Sequence, residues 1–196
     1  MARPNIAPLP CNAALLVIDL QKAIDHPSWG ERNNPNAERN VAALLDAWRT
    51  SSRPVYHIRH DSTEAASYYR PGQPGNDFKP EAEPLAGEIV IAKRVHSAFV
   101  GTNLEIELRT ARRNTLVVAG VITNNSVEAT VRMAGNLGFE TFLVEDACFT
   151  FDRRDWAGQL RTASEVHAMS LANLDGEYCT VTRTAEVLHA CTALPR

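Results

Sequence analysis

Val117-Val118-Ala119-Gly120-Val121-Ile122-Thr123-Asn124-Asn125-Ser126-Val127-Glu128-Ala129-Thr130 joins an apolar run, a glycine, a polar turn and a helix that opens at a serine. A short apolar run bounded by turn residues reads as a strand buried on both faces. The stretch therefore predicts strand, sharp turn and helix in succession. The turn presents a small hydroxyl at a helix N-terminus, where unpaired N–H groups and the helix dipole favour negative charge. Such a setting suits a thiol better than a hydroxyl. It lowers a cysteine pKa into the reactive range, whereas a serine there still needs a dedicated base.

The same alternation extends outward along the chain. Strands are predicted over residues 13–18, 55–58, 88–92, 115–119, 139–144 and 177–181, and helices over 36–50, 104–112, 126–137, 161–174 and 185–190. The first helix carries Val41, Leu44, Leu45 and Trp48 at amphipathic spacing, and Gly138 is a good C-terminal stop for the third. Residues 61–87, rich in Pro, Gly, Ser and charge, have no period; a loop this long in a compact domain is functional or disordered. Strands alternating with helices imply parallel crossovers. The expected fold class is α/β: a single domain over residues 1–196, three layers, with a mostly parallel six-stranded sheet.

Composition narrows the function classes. The 196 residues are 44% hydrophobic and 22% charged, with a net charge of −3. That is an ordinary globular composition, with no electrostatic footprint for nucleic acid or an anionic membrane. Cys11, Cys148, Cys179 and Cys191 are scattered without zinc spacing, which suits reduced thiols in a cytoplasm. No run is long enough to span a bilayer, and Met1-Ala2-Arg3-Pro4-Asn5 leads into no apolar signal segment. A cytoplasmic protein that binds neither membrane nor nucleic acid is expected.

In open parallel sheets the active site lies beyond the carboxyl ends of the strands. Asp19, Lys93 and Ser126 all fall just past predicted strand ends. An acid, a cation and a helix-end nucleophile at one sheet edge make a coherent catalytic set. Asp19 can move a proton between nucleophile and leaving group, Lys93 can hold that carboxylate, and backbone N–H groups around Ser126 can stabilise an oxyanion.

Leu15-Leu16-Val17-Ile18-Asp19-Leu20-Gln21, Lys93-Arg94-Val95-His96-Ser97-Ala98-Phe99 and Gly120-Val121-Ile122-Thr123-Asn124-Asn125-Ser126-Val127 together resemble the isochorismatase-like cysteine hydrolases. Trp29-Gly30-Glu31-Arg32-Asn33-Asn34-Pro35 and Arg59-His60-Asp61-Ser62 resemble one branch of that family. The resemblance spans nearly the whole chain in order. It implies a parallel sheet flanked by helices and an Asp–Lys–Cys triad that cleaves C–N bonds through a thioester. It also implies a cis peptide between Val121 and Ile122, an oxyanion hole from the N–H groups of Ile122 and Ser126, and a homo-oligomer, dimer or tetramer. Asp19 and Lys93 match the family's triad; Ser126 stands where the family has cysteine.

Three accounts of Ser126 are open. It replaces a cysteine and traps bound substrate; or the enzyme uses serine or no covalent nucleophile, as isochorismatases do on a vinyl ether; or the site has turned to ligand binding or scaffolding. The expected substrate is a small amide or ureide, and no cofactor is expected. Nicotinamidases of this family hold a metal through an Asp-x-His pair, a spacing absent from His57-Ile58-Arg59-His60-Asp61-Ser62. No metal site is therefore expected, and His60 reads as a hydrogen-bonded loop histidine.

Aromatic walls with a few polar anchors typify small-ligand sites. Phe99, Asn33, Arg59 and Tyr69 are the candidate substrate contacts, with Tyr68, Arg70 and Phe78 also in or near the roofing loops. Asn34 reads as a helix cap, His96 as a loop hydrogen-bond partner, and His167 as a satisfied core or interface histidine. Cys148 reads as a buried structural thiol.

Overall fold

The computed structural model describes residues 6–192; the segment Met1–Asn5, read above for a leader, lies outside them. Six strands form one all-parallel sheet: β1 (Ala14–Ile18), β2 (Val55–His60), β3 (Ile89–Lys93), β4 (Thr115–Val121), β5 (Glu140–Phe149) and, after the hairpin of β6 (Arg153–Arg154) and β7 (Leu160–Arg161), β8 (Thr180–Thr182). Their spatial order is β3-β2-β1-β4-β5-β8. The helices are α1 (Ala37–Thr50), α2 (Leu104–Thr110), α3 (Glu128–Asn136), α4 (Ala163–Leu174) and α5 (Thr184–Thr192).

Side chains alternate across each strand, so the apolar runs supply two cores at once. Leu15 and Val17 of β1 and Val117, Ala119 and Val121 of β4 pack with Val41, Leu44, Leu45 and Trp48 of α1 and Val187 and Ala190 of α5. Ala14, Leu16 and Ile18 of β1 and Leu116 and Val118 of β4 face the other way, onto Leu104 and Leu108 of α2, Val131 and Ala134 of α3 and Leu174 of α4. This is the three-layer α/β/α arrangement. Trp48, fully buried, also donates its indole N–H to Ala13 O (2.9 Å) and so locks α1 to the start of β1.

Three differences from the sequence reading have local causes. β5 runs on to Phe149, through Glu145 and Asp146, because its pairing with β4 jumps from Val118↔Leu143 to Gly120↔Cys148. The carbonyls of the bulge and its far edge are gathered by Asn34 Nδ2, which donates to Glu145 O and Cys148 O, and by Asn40 Nδ2, which donates to Asp146 O. Asn34 thus holds the bulge and does not cap α1, whose N-cap position is Asn36. The predicted helix over 126–137 is divided: Thr123–Val127 form one π-helical turn before α3. The hairpin of β6 and β7 has strands of two residues each, too short to leave a period in the sequence.

Candidate active site

β1, β2, β3 and β4 end side by side, and the polar residues at their carboxyl ends meet. Asp19 follows β1 with φ of 51°, a left-handed conformation that Asp tolerates better than most residues. Its N–H donates to Ile58 O (2.9 Å) and its own carbonyl accepts from Gln21 N (2.8 Å). Gln21, wholly buried, accepts from His60 N (2.7 Å) through Oε1 and donates through Nε2 to His60 O (3.1 Å) and Asn76 O (2.8 Å). This clamp fixes the ends of β1 and β2 and pins the long loop beneath them. The sequence reading places Gln21 in a motif without a role; an amide beside a strand-end acid is the available signal.

Lys93 closes β3 and reaches across β2. Its Nζ donates to Asp19 Oδ2 (2.7 Å) and to Ser126 Oγ (3.2 Å), and it lies 3.4 Å from His60 Nδ1. Asp19, Lys93 and Ser126 are 4%, 1% and 5% exposed, so this ion pair is sealed from bulk water and little screened. Asp19 Oδ1 is buried without a hydrogen-bond partner among the described residues. An unpaired buried carboxylate oxygen is costly, and here it stands where a proton can be received or delivered.

Gly120 allows the close approach of β1 and β4. At its φ of 120°, a Cβ would lie 2.2 Å from Ile18 O. The Val121–Ile122 peptide is cis, and Ile122 O accepts from Asn125 N (3.0 Å) and Val127 N (3.3 Å) in the π turn. Behind that turn His167 of α4 meets Thr123 Oγ1 through Nδ1 (2.9 Å), while its buried Nε2 makes no hydrogen bond among the described residues and lies 3.7 Å from Glu145 Oε2. His167 is a core histidine with one nitrogen satisfied.

A cavity of about 460 Å³ opens over these groups, with Asp19, His60, Ser126 and Ile122 at its floor. Its walls include Trp29, Tyr68, Tyr69, His96 and Asn125. Tyr69, buried, donates its hydroxyl to Asp19 O (3.4 Å). Burial, with help from Asp19, raises its phenol well above the ordinary range, so the group stays neutral. Tyr68 stacks on His26 with ring centroids 3.6 Å apart, joining the loop after β2 to the turn after β1. Burial pulls the His60 imidazole below its ordinary value; Asp19 and Asp61 oppose the shift, and Lys93 and His96 add to it.

The other candidate contacts do not line this cavity. Phe99 stacks on Phe139 (5.7 Å) in the lower core. Asn33 Oδ1 accepts from Thr150 N (2.8 Å), bracing the end of β5. Arg59 is held by both oxygens of Asp61 (2.9 and 3.1 Å). Arg70 donates to Ala65 O, and Phe78 packs edge-on against His57. In each case a nearer partner captures the side chain. Trp29 and Asn125 were missed as wall residues, because side-chain direction in turns has no period to read. Cys148 is fully buried, and burial pushes its thiol far up. No group of three or more His, Cys, Asp or Glu among the described residues is arranged to hold a metal.

A sheet edge carrying a buried acid–ammonium pair beside a helix-end hydroxyl, under a small cavity, has the layout of a hydrolytic α/β enzyme. The Isochorismatase domain model matches residues 13–186, and the chain belongs to that family of hydrolases. The uncharacterized isochorismatase family protein YrdC of Bacillus subtilis is 39% identical over 176 residues, covering 90% of this chain and 94% of that protein. An isochorismatase-family structure from Chromobacterium violaceum is 59% identical, covers 97% of this chain and 98% of its own, and superposes with a TM-score of 0.94. Nicotinamidase 3 of Arabidopsis thaliana is 28% identical over 175 residues, covering 83% and 80% of the two chains. No helix among the described residues is long and apolar enough to cross a membrane.

Proposed function

We propose that this protein hydrolyses the C–N bond of a small amide or ureide, with Asp19, Lys93 and position 126 as its working groups. The observation that carries the reading is the buried Lys93 ammonium bridging Asp19 Oδ2 and Ser126 Oγ while Asp19 Oδ1 is left unpartnered. The likeness to a protein named as a nicotinamidase supports amide chemistry. In the covalent route the group at 126 attacks the carbonyl carbon and its proton passes to Asp19. The N–H groups of Ile122 and residue 126 hold the oxyanion. Asp19 returns the proton to the departing nitrogen as the C–N bond breaks. Water then attacks the acyl group, giving one proton to Asp19, and the acid product leaves as residue 126 is reprotonated.

Serine is poorly served for the first step. Ser126 Oγ accepts from Lys93, and among the described residues no carboxylate hydrogen-bonds to it, so Asp19 is not yet engaged as the base a weakly acidic hydroxyl needs. A thiol at the same place ionises far more readily. Ser126→Cys, assayed beside the unaltered protein for ammonia release from a panel of small amides and ureides, is expected to gain activity by orders of magnitude on at least one compound. Hydrolysis of none by either form would overturn the reading.

The unpartnered Asp19 Oδ1 favours one second reading: direct protonation of a vinyl ether by Asp19, without a covalent nucleophile. That chemistry would be indifferent to the residue at 126. Equal turnover of a vinyl ether by the unaltered protein and by Ser126→Cys would establish it.

A further inference from the structure

The Lys93 ammonium has three hydrogens and three polar neighbours within hydrogen-bond distance: Asp19 Oδ2, Ser126 Oγ and His60 Nδ1. An ammonium cannot accept, so the third contact is a hydrogen bond only when His60 Nδ1 carries no proton. A neutral imidazole so bound must carry its proton on Nε2. His60 Nε2 hydrogen-bonds to no group among the described residues and is not one of the buried, unpartnered atoms, while His60 itself forms part of the cavity floor. We infer that His60 is a substrate-contacting residue, its Nε2–H held as a hydrogen-bond donor toward a carbonyl or other acceptor in the cavity by the lysine that also pairs with Asp19.

The surroundings hold the ring in this role. Tyr69 meets it edge-on at 5.7 Å. The Asp61 carboxylate, which would otherwise attract the Nε2 proton, is occupied by Arg59 and Asn76. The backbone N–H and C=O of His60 are both engaged by Gln21. The charged and titratable groups facing the imidazole are Asp19 from the end of β1, Lys93 and His96 from the end of β3 and the loop after it, and Asp61 on its own strand end. Protonation of Nδ1 would set an imidazolium against the Lys93 ammonium and break the contact, which is consistent with the burial that keeps the ring neutral. The inference rests on the hydrolase reading only for what the donor binds; the tautomer stands independently of it.

Two substitutions separate a donor from a mere prop. In His60→Asn the side-chain oxygen can take the place of Nδ1 and keep Lys93 satisfied, but nothing reaches the Nε2 position. In His60→Gln the terminal amide can reach that position, and the acceptor beside Lys93 is lost. The first measurement is ¹⁵N NMR of the histidine rings of the unaltered protein at neutral pH, with His60 assigned by the signal that vanishes in His60→Asn. A proton on Nε2 and none on Nδ1 is expected; a proton on Nδ1, or on both nitrogens, overturns the inference whatever the activity. The second is binding of benzamide, a neutral amide probe, to the three forms. His60→Asn is expected to weaken binding about tenfold and His60→Gln to restore most of it, the effect of one hydrogen bond. The reverse order, equal binding by all three, or binding by none overturns it. An expected tautomer and binding order with no hydrolysis of any amide would leave His60 in place and remove the C–N hydrolase reading.

Discussion

Glu38 offers a quantitative test of how the platform under the site is held. Its carboxylate, on the first turn of α1, accepts from Arg32 through both oxygens (2.7 Å each) and from Lys79 Nζ (3.1 Å). Arg32 lies over the Phe149 ring at 3.5 Å, and Lys79 also bonds Asp25 Oδ1 at 2.5 Å. The cluster therefore ties α1 to the turn after β1, to the end of β5 and to the long loop. Burial works to raise the Glu38 pKa, but Arg32 and Lys79 outweigh it and hold the carboxyl at about 2 against an ordinary 4.5. The side chain is only 13% exposed, so solvent screening removes little of this.

Because the folded-state value is the lower one, the contribution is complete above the unfolded value and is lost as pH falls toward 2. The shift corresponds to about 3 kcal/mol at pH 7 and about 2 kcal/mol at pH 3.5. Urea unfolding of the unaltered protein and Glu38→Gln should therefore differ by about 3 kcal/mol at pH 7, with the gap narrowing by about 1 kcal/mol at pH 3.5. A gap that is constant over this range, or that widens in acid, would refute the argument.

Three further outcomes are expected. Asp19→Asn should lower the hydrolytic rate of whichever form is active by about 10²–10⁴-fold, measured as kcat on the best amide; an unchanged kcat would remove Asp19 from proton transfer. Gly120→Ala places a methyl 2.2 Å from Ile18 O at a positive φ, so thermal unfolding should show a loss of about 3 kcal/mol or more, and a near-normal Tm would contradict the close approach of β1 and β4. With a thiol reagent on the native protein, exposed Cys11 should react first, while Cys148 waits for unfolding and Cys179, pushed to about 12 by burial, reacts slowly. Peptide mapping that found Cys148 labelled as fast as Cys11 would overturn that order.

The layered sheet and the meeting of Asp19, Lys93 and Ser126 were legible because Asp19 and Lys93 directly follow apolar runs and Ser126 follows one by a short polar turn, and a parallel sheet brings such run ends to one edge. The wall of the cavity was not. Phe99, Asn33 and Arg59 have the right chemistry and the right neighbourhood, yet Phe139, Thr150 and Asp61 hold them elsewhere. Those captures depend on contacts distant in sequence or on the twist of a turn, and neither leaves a periodic trace. Glu145 and Asp146 misplace the end of β5 for a related reason: charged residues inside a strand signal its end unless a bulge turns them outward. His60 reads as an ordinary loop histidine, since nothing in the order of residues reveals that a lysine from the next strand fixes its tautomer.

The polar groups that meet at the sheet edge come from neighbouring strand ends in the order Lys93, His60 and Asp19, with Ser126 in the turn after β4, set by an interstrand repeat of about 4.8 Å. The cavity walls come largely from the loops after them. On the reaction proposed above, a substitution in those loops is expected to change which compound fits the cavity while leaving the Lys93–Asp19 pair at the sheet edge undisturbed.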